Sequence, residues 1–139
     1  MSGLVLDASM ALAWIFEREA KPEQVRAERA LRQLADTAAS VPSHWHSEVL
    51  NAVLVGERRK VVTPAQVADY LARLASLDIV VDDAAPWTHS DAVLATARQY
   101  GLTAYDAAYL ELALRTGAAL GSFDKALLKA AATAGVETV

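Results

Sequence analysis

The chain has 139 residues, 54% of them hydrophobic, a net charge of −4 and no cysteine. This length predicts one domain, 1–139, whose apolar content is enough to bury a core and argues against a disordered chain. The lack of cysteine excludes disulfides and thiolate metal sites, and the acidic balance lacks the basic surface typical of nucleic-acid-binding proteins.

Short apolar strands alternate with amphipathic helices along the chain. We predict strands at residues 3–6, 41–42, 79–81, 118–121 and 136–139. We predict seven helices: at about 9–17, 22–37 and 46–59, one from 64 onward, one ending before Gly101, and two at about 105–115 and 124–132. This alternation predicts an α/β domain with a mainly parallel central sheet.

We expect no membrane or export signal in the first residues of the sequence. Its longest uncharged apolar stretch covers residues 8–16, which is too short to span a bilayer. Asp7 interrupts the region where a signal peptide needs a basic segment followed by an apolar core. We therefore expect a cytoplasmic protein without membrane contact.

Four acidic residues from distant parts of the sequence are predicted at the beginnings of separate helices. They are Asp7, Glu48, Asp106 and Asp124. In an open parallel sheet, ligands bind beyond the carboxyl ends of the strands, so acids placed there can meet in one pocket. Carboxylate oxygens are the ligands that a hard divalent cation prefers. The four acids therefore predict an enzyme that cleaves phosphodiester bonds with Mg²⁺ or Mn²⁺.

Each acid taken alone also has a purely structural interpretation. The free N–H groups and the dipole at a helix N-terminus favour a carboxylate there, whether or not a metal is bound. The neighbouring residues favour the metal hypothesis. Asp7 directly follows an apolar strand, and Asp106 lies in an otherwise apolar segment where full exposure is not expected.

Four further side chains are candidates for supporting such a site. Asn51 shares a helix face with Glu48, three residues away. The hydroxyls of Ser9 and Ser122, each two residues from an acid, can hold a metal-bound water. Lys125 adjoins the last acid, where it can meet a phosphate.

Histidine and tryptophan residues offer weaker candidates. His44 and His46 flank Trp45, but Mg²⁺ prefers oxygen to imidazole, so a catalytic role is disfavoured. Trp14 and Trp87, like Trp45, can stack unpaired bases. Such residues are more often part of a core or an interface, and Trp14 lies in an apolar helix where this is expected.

Five sequence segments carry a family resemblance: LVLDAS (4–9), ALAW (11–14), SEVLNA (47–52), YDAAYLELA (105–113) and SFDKAL (122–127). Each is weakly specific alone, but their order and spacing are together fairly specific. The chain resembles PIN-domain ribonucleases, in particular the VapC-type toxins of bacterial and archaeal toxin–antitoxin pairs. The resemblance covers nearly the whole chain.

The resemblance implies a PIN-like three-layer α/β domain and a set of functional residues. The family's metal-binding acids correspond to Asp7, Glu48, Asp106 and Asp124, and its hydroxyl two places before the last acid, commonly Thr, is Ser122 here. It also implies Mg²⁺ or Mn²⁺ as cofactor, RNA hydrolysis that leaves a 5′-phosphate, homodimers, and inhibition by a cognate antitoxin.

Two other functional classes remain open at this stage. One is a metal-dependent DNA 5′-nuclease or phosphatase on a related fold, although a chain this short has no spare segment for a helical arch or cap. The other is a non-catalytic RNA-binding or partner-binding domain in which the acids only cap helices. Digestion of matched RNA and DNA oligonucleotides distinguishes the first alternative from a ribonuclease. A metal titration distinguishes the second alternative from a metal-dependent enzyme.

Overall fold

A four-stranded, all-parallel sheet forms the centre of the structure, a computed structural model that describes residues 3–139. Met1 and Ser2, which belong to the expected domain 1–139, lie outside the described residues. The strands are β1 (Leu4–Leu6), β2 (Ala39–Val41), β3 (Ile79–Val81) and β4 (Ala119–Gly121), in the spatial order β3-β2-β1-β4. The central strand β1 is entirely buried, as its unbroken apolar sequence predicts.

Seven helices cover the sheet in the part of the chain from residue 3 to 139. They are α1 (Ala8–Leu12), α2 (Lys21–Gln33), α3 (Trp45–Arg58), α4 (Pro64–Ser76), α5 (Pro86–Tyr100), α6 (Ala104–Thr116) and α7 (Lys125–Ala134). Helix α6 contacts β1, β4, α5 and α7, whereas α1 contacts α2 and α3. The predicted three-layer α/β architecture is confirmed. Across residues 3–139, no helix has both the length and the apolarity that a bilayer crossing requires.

Most predicted helix ends are confirmed. Gly101 and Gly117 end α5 and α6 with φ of 66° and 69°, a left-handed conformation that glycine adopts without steric cost. The predicted first helix is too long, because α1 ends at Leu12 and the next residues form tighter turns with i→i+3 hydrogen bonds. Beyond those turns, the Trp14 indole donates to the carbonyl of Ala27 at 2.8 Å, which holds this segment against α2.

The predicted strand at 136–139 is wrong. The structure has only an isolated bridge between Leu120 and Thr138. Two backbone hydrogen bonds, from Leu120 N to Glu137 O and from Val139 N to Leu120 O, hold this segment beside β4. Only Thr138 of this segment pairs with β4 as a bridge partner, so no regular ladder forms.

The topology places several chain segments at one edge of the sheet. All four strands are parallel, so their carboxyl ends share that edge. Helix α6 leads into β4 and runs back across the sheet, which brings the N-terminus of α6 to the same edge. The chain adds β2 and then β3 on one side of β1 and afterwards places β4 on the other side. The order in which strands are added therefore reverses at the boundary between β1 and β4. Ligands bind in the crevice at such a reversal.

Candidate metal centre

Asp7 lies directly after β1 and is held by three donors. Its Oδ1 accepts from the Ser9 hydroxyl at 2.7 Å and from the Met10 backbone N–H at 3.0 Å. Its Oδ2 accepts from the Ser122 hydroxyl at 2.5 Å. The Asp7 side chain therefore caps α1 and at the same time joins the β1 and β4 loops. It is buried, with 5% exposure.

Asp124 follows β4 and is linked to Asp7 through one serine. The Ser122 hydroxyl donates to Asp7 and accepts from the Asp124 backbone N–H at 2.9 Å. The Asp124 Oδ1 accepts from the Leu127 backbone N–H at 2.8 Å and caps α7. A second serine bridge runs in parallel, because the Ser9 hydroxyl accepts from the Phe123 N–H at 2.8 Å. Both loops are thus fixed relative to each other.

Asp106 is in the first turn of α6, but it does not cap that helix. The N-cap is Thr103, whose hydroxyl accepts from the Asp106 backbone N–H at 3.1 Å. No hydrogen bond to the Asp106 carboxylate occurs within residues 3–139 that would explain its position. Its half-buried side chain therefore lies among the other acids without a structural partner.

Glu48 is exposed on the first turn of α3 and is drawn towards α6. Its Oε1 accepts from the Tyr109 hydroxyl at 2.6 Å. His44, one turn earlier on the same side of α3, places Nε2 3.1 Å from the same oxygen, although not in the direction of a good hydrogen bond. The His44 ring also makes edge contacts with Tyr109 and Tyr105, with centroids 5.1 and 5.7 Å apart.

The pKa values indicate that the four acids lie within electrostatic range of one another. Burial raises the pKa of Asp7 from 3.8 to about 6, against the opposing effect of its hydrogen bonds, and the charge of Asp106 adds to the rise. Burial is also the largest cause of the raised pKa of Asp106, followed by the negative charges of Asp124 and Glu48. Desolvation is therefore a larger cause of these raised pKa values than repulsion between the carboxylates.

Burial and the hydrogen bond to Glu48 raise the pKa of Tyr109, and the charges of Glu48, Asp7 and Asp106 add to the rise. This buried phenol therefore stays protonated and acts as a donor at neutral pH.

The donor set fits a hard divalent cation, although the side chains do not form a closed cage as they stand. Among residues 3–139, no three His, Asp or Glu side chains are arranged to hold a metal ion together. Asp7 accepts protein donors on both of its oxygens, whereas Glu48 and Asp124 each accept on one, and the lone pairs that remain are all on oxygen. Mg²⁺ and Mn²⁺ accept such a set of carboxylates and commonly retain several waters.

Of the four side chains predicted to support the site, two contact Asp7 and two are exposed. The hydroxyls of Ser9 and Ser122 point to Asp7 rather than to open space. Asn51 and Lys125 are both exposed, and neither side chain makes a hydrogen bond with residues 3–139. Lys125 adjoins the Asp124 cap at the beginning of α7.

Sequence reasoning missed two residues that support these loops. Tyr109 carries a recognisable signal, because it lies three residues after Asp106 and therefore on the same helix face. Arg26 carries none, since its contacts are remote in sequence. Its guanidinium donates to the Ser122 carbonyl at 3.0 Å and to Val139 O at 2.7 Å, and it stacks on the Phe123 ring at 5.0 Å.

His44, which contacts Glu48, also lines a mainly apolar cavity of about 610 Å³. The lining includes Trp87, which is 89% exposed. Two ion pairs lie in its lining, in which Arg115 bridges Asp82 at 2.6 Å and Glu111 at 2.9 Å. The other two tryptophans are not available for stacking in this way, because Trp45 is buried and Trp14 packs against α2.

One family model and several solved structures are similar to this chain. The family model described as "PIN domain" matches residues 4–133. The crystal structure of PAE2754 from Pyrobaculum aerophilum is similar with a TM-score of 0.71 and 25% identity, covering 99% of this chain and 91% of that chain. A toxin–antitoxin complex from Klebsiella pneumoniae has a similar fold, with a TM-score of 0.56 and 18% identity over 88% of this chain and 87% of that one. No curated protein sequence matches the chain.

Proposed function

Because the chain belongs to the PIN domain family, whose members are typically metal-dependent nucleases, we propose that it is a Mg²⁺- or Mn²⁺-dependent endoribonuclease acting as the toxin of a toxin–antitoxin pair. In this proposal Asp7, Glu48, Asp106 and Asp124 hold the metal. The whole chain, 1–139, acts as a single domain in the cytoplasm.

Asp106 is the observation that carries the proposal. A carboxylate used only as a helix cap should accept from the first turn of its helix, as Asp7 and Asp124 do. Asp106 does not, because Thr103 already performs that role in α6. A half-buried carboxylate with a raised pKa beside two other acids costs folding free energy. A cation that binds there would remove this cost, so a binding function accounts for the residue where capping does not.

The other side chains have distinct roles in this proposal. Ser9 and Ser122 fix both oxygens of Asp7, so its orientation does not depend on the metal. Asp124 is held by the first turn of α7, and Glu48 approaches from α3. The bound cation would bring positive charge to the scissile phosphate and make a water molecule more acidic. The protein supplies no side-chain nucleophile in this scheme.

The substrate and partners are proposed by class. The acidic chain, with its net charge of −4, needs cations to approach a polyanion, and Lys125 is placed to meet a phosphate. The antitoxin partner is supported by the toxin–antitoxin complex among the similar structures. Exposed apolar side chains, including Leu50, Leu54 and Trp87, support burial against another protein chain, as a homodimer or with the antitoxin.

Cleavage of matched single-stranded RNA and DNA oligonucleotides tests the activity. The purified chain should cut the RNA with Mg²⁺ or Mn²⁺, leave a 5′-phosphate, and lose activity in EDTA. Asp106→Asn should lower the rate about 100-fold or more, because the loss of a metal ligand costs several kcal/mol in the barrier. Asp91→Asn, which replaces an exposed acid on α5, is the matched control and should cut at the wild-type rate.

Other outcomes identify the alternatives. Faster cleavage of DNA than of RNA would indicate a DNA nuclease. A folded chain that cuts neither polymer and binds Mn²⁺ no better than Asp106→Asn would indicate a non-catalytic domain. Expression in bacteria tests the toxin role separately: growth should stop, and co-expression of the protein from the adjacent small gene should restore it.

A further inference from the structure

The fourth acid of the cluster needs an explanation for its orientation. Glu48 is exposed, and its flexible side chain has three rotatable bonds. Asp106 lies on the same face of α6 as Tyr109, which Glu48 contacts, so the two like-charged carboxylates repel each other. An exposed glutamate in this position is expected to turn towards water, yet its carboxylate is held against α6. A protein donor therefore has to compensate the repulsion.

Tyr109 is that donor. Its ring is buried, with 1% exposure, and its hydroxyl lies 2.6 Å from Oε1 of Glu48. Tyr109 and Asp106 are three residues apart in α6 and so occupy the same face of the helix. Helix α6 thus contributes one acid and, one turn further along, the donor that attracts a second acid from α3. His44 contacts the same Oε1 at 3.1 Å, which leaves Oε2 as the oxygen without a donor from residues 3–139.

We propose that Tyr109 is a positioning residue that fixes the Glu48 carboxylate in the metal-binding orientation. It does not contact metal or substrate. It holds Oε1 by a hydrogen bond, and Oε2, which no donor from residues 3–139 reaches, would bind the cation. Hydrogen-bond partners of this kind, one step removed from the metal, typically change metal affinity by about 10–100-fold when they are removed. This inference rests on the proposed metal site, but it concerns a residue outside the four acids.

The chain contains a matched control for this contact. Tyr70 is equally buried, with 1% exposure, and its hydroxyl donates at the same distance of 2.6 Å, but to the backbone carbonyl of Ala11 rather than to an acid. Tyr70→Phe and Tyr109→Phe therefore remove the same atom from two equally buried side chains. Only the second removes a donor from a proposed metal ligand.

The test is a titration with Mn²⁺ alone, by calorimetry, of the wild type and five variants, one of which is Asp106→Asn. Tyr109→Phe should weaken Mn²⁺ binding about 10-fold or more, whereas Tyr70→Phe should bind as the wild type does. In a Glu48→Ala background, Tyr109→Phe should cause no further loss, because the residue acts only through Glu48. Melting curves in EDTA establish that every variant is folded. The Phe ring preserves the packing at both positions, so folding should be retained.

Three results would overturn the proposal. The first is unchanged Mn²⁺ affinity in Tyr109→Phe. The second is an equal loss in Tyr70→Phe, which would indicate a general effect of losing a buried hydroxyl. The third is a further loss in the Glu48→Ala background, which would indicate a role independent of Glu48. If the wild type itself does not bind Mn²⁺ better than Asp106→Asn, the proposed metal-dependent function fails as well, and this outcome is distinct from the other three.

Discussion

The buried carboxylate of Asp7 should make the stability of the metal-free protein depend on pH in a specific direction. Burial raises its pKa from 3.8 to about 6 in the folded state. A raised folded-state pKa contributes stability that is fully present below the unfolded value, and this stability is lost as the pH rises through about 6. The wild type should therefore become less stable between about pH 4 and about pH 7.5, apart from other titrations.

The magnitude follows from the difference between the folded and unfolded pKa values. At about 1.4 kcal/mol per pKa unit, the difference corresponds to roughly 3 kcal/mol of unfolding free energy. For a chain of this size that is roughly 10 °C in melting temperature. Asp7→Asn removes the titration but keeps the size of the side chain. The stability of this variant relative to wild type should thus improve by roughly 3 kcal/mol from acidic to neutral pH.

Urea unfolding in EDTA at several pH values measures this difference. Titrations shared by both proteins cancel, as does any constant penalty from placing an amide beside Ser9 and Ser122. Asp69→Asn replaces an exposed acid on α4 and should show no such trend. Mn²⁺ at neutral pH should stabilise the wild type more than Asp7→Asn, because it binds only the folded, ionised site. A difference that stays constant with pH would refute the argument that Asp7 is held at a desolvation cost.

Three further predictions concern residues outside the acid cluster. Lys60→Gly should stabilise the protein by roughly 1 kcal/mol in urea unfolding, because Lys60 has a φ of 60° that penalises side chains with a Cβ; an equal gain in Lys60→Ala would contradict this. Arg115→Met should destabilise the protein by roughly 3 kcal/mol, because Glu111 is left buried without its partner. Adding Glu111→Gln should recover part of the loss; no recovery would mean that the pair is only a surface contact. Arg26→Met should accelerate amide hydrogen exchange at the loop around Ser122, which Arg26 holds through a backbone carbonyl; unchanged exchange there would mean that the loop is fixed without it.

The sequence predicts the helices and the sheet well because their signals are local. Apolar runs identify β1 and β3, and the glycines at 101 and 117 identify helix ends. The strand at 136–139 fails because strand formation depends on what lies beside it. That segment has the residues of a strand but only a single bridge to Leu120. Likewise, β3 is apolar but forms the sheet edge, where Val80 and Val81 are exposed.

The sequence indicates the four acids of the candidate site, but it does not predict the contacts that orient them. Asp7, Glu48, Asp106 and Asp124 can be selected because each lies near a predicted strand end or helix beginning. The contacts of Arg26 with the β4 loop join residues about a hundred positions apart, and no sequence periodicity reports such pairs. The sequence also places Ser9 and Ser122 near the acids, but the direction of their hydroxyls towards Asp7 depends on how two loops meet.

Capping and metal binding are not exclusive uses of a carboxylate. Asp124 gives Oδ1 to the first turn of α7, and no donor from residues 3–139 reaches its Oδ2, so one oxygen can cap while the other binds a cation. This dual use means that replacing Asp7 or Asp124 changes both helix stability and metal binding. Asp106 differs, because Thr103 caps α6 in its place. A loss of metal binding in Asp106→Asn therefore reports on the site itself, and that variant gives the clearest distinction between a metal centre and a set of helix caps.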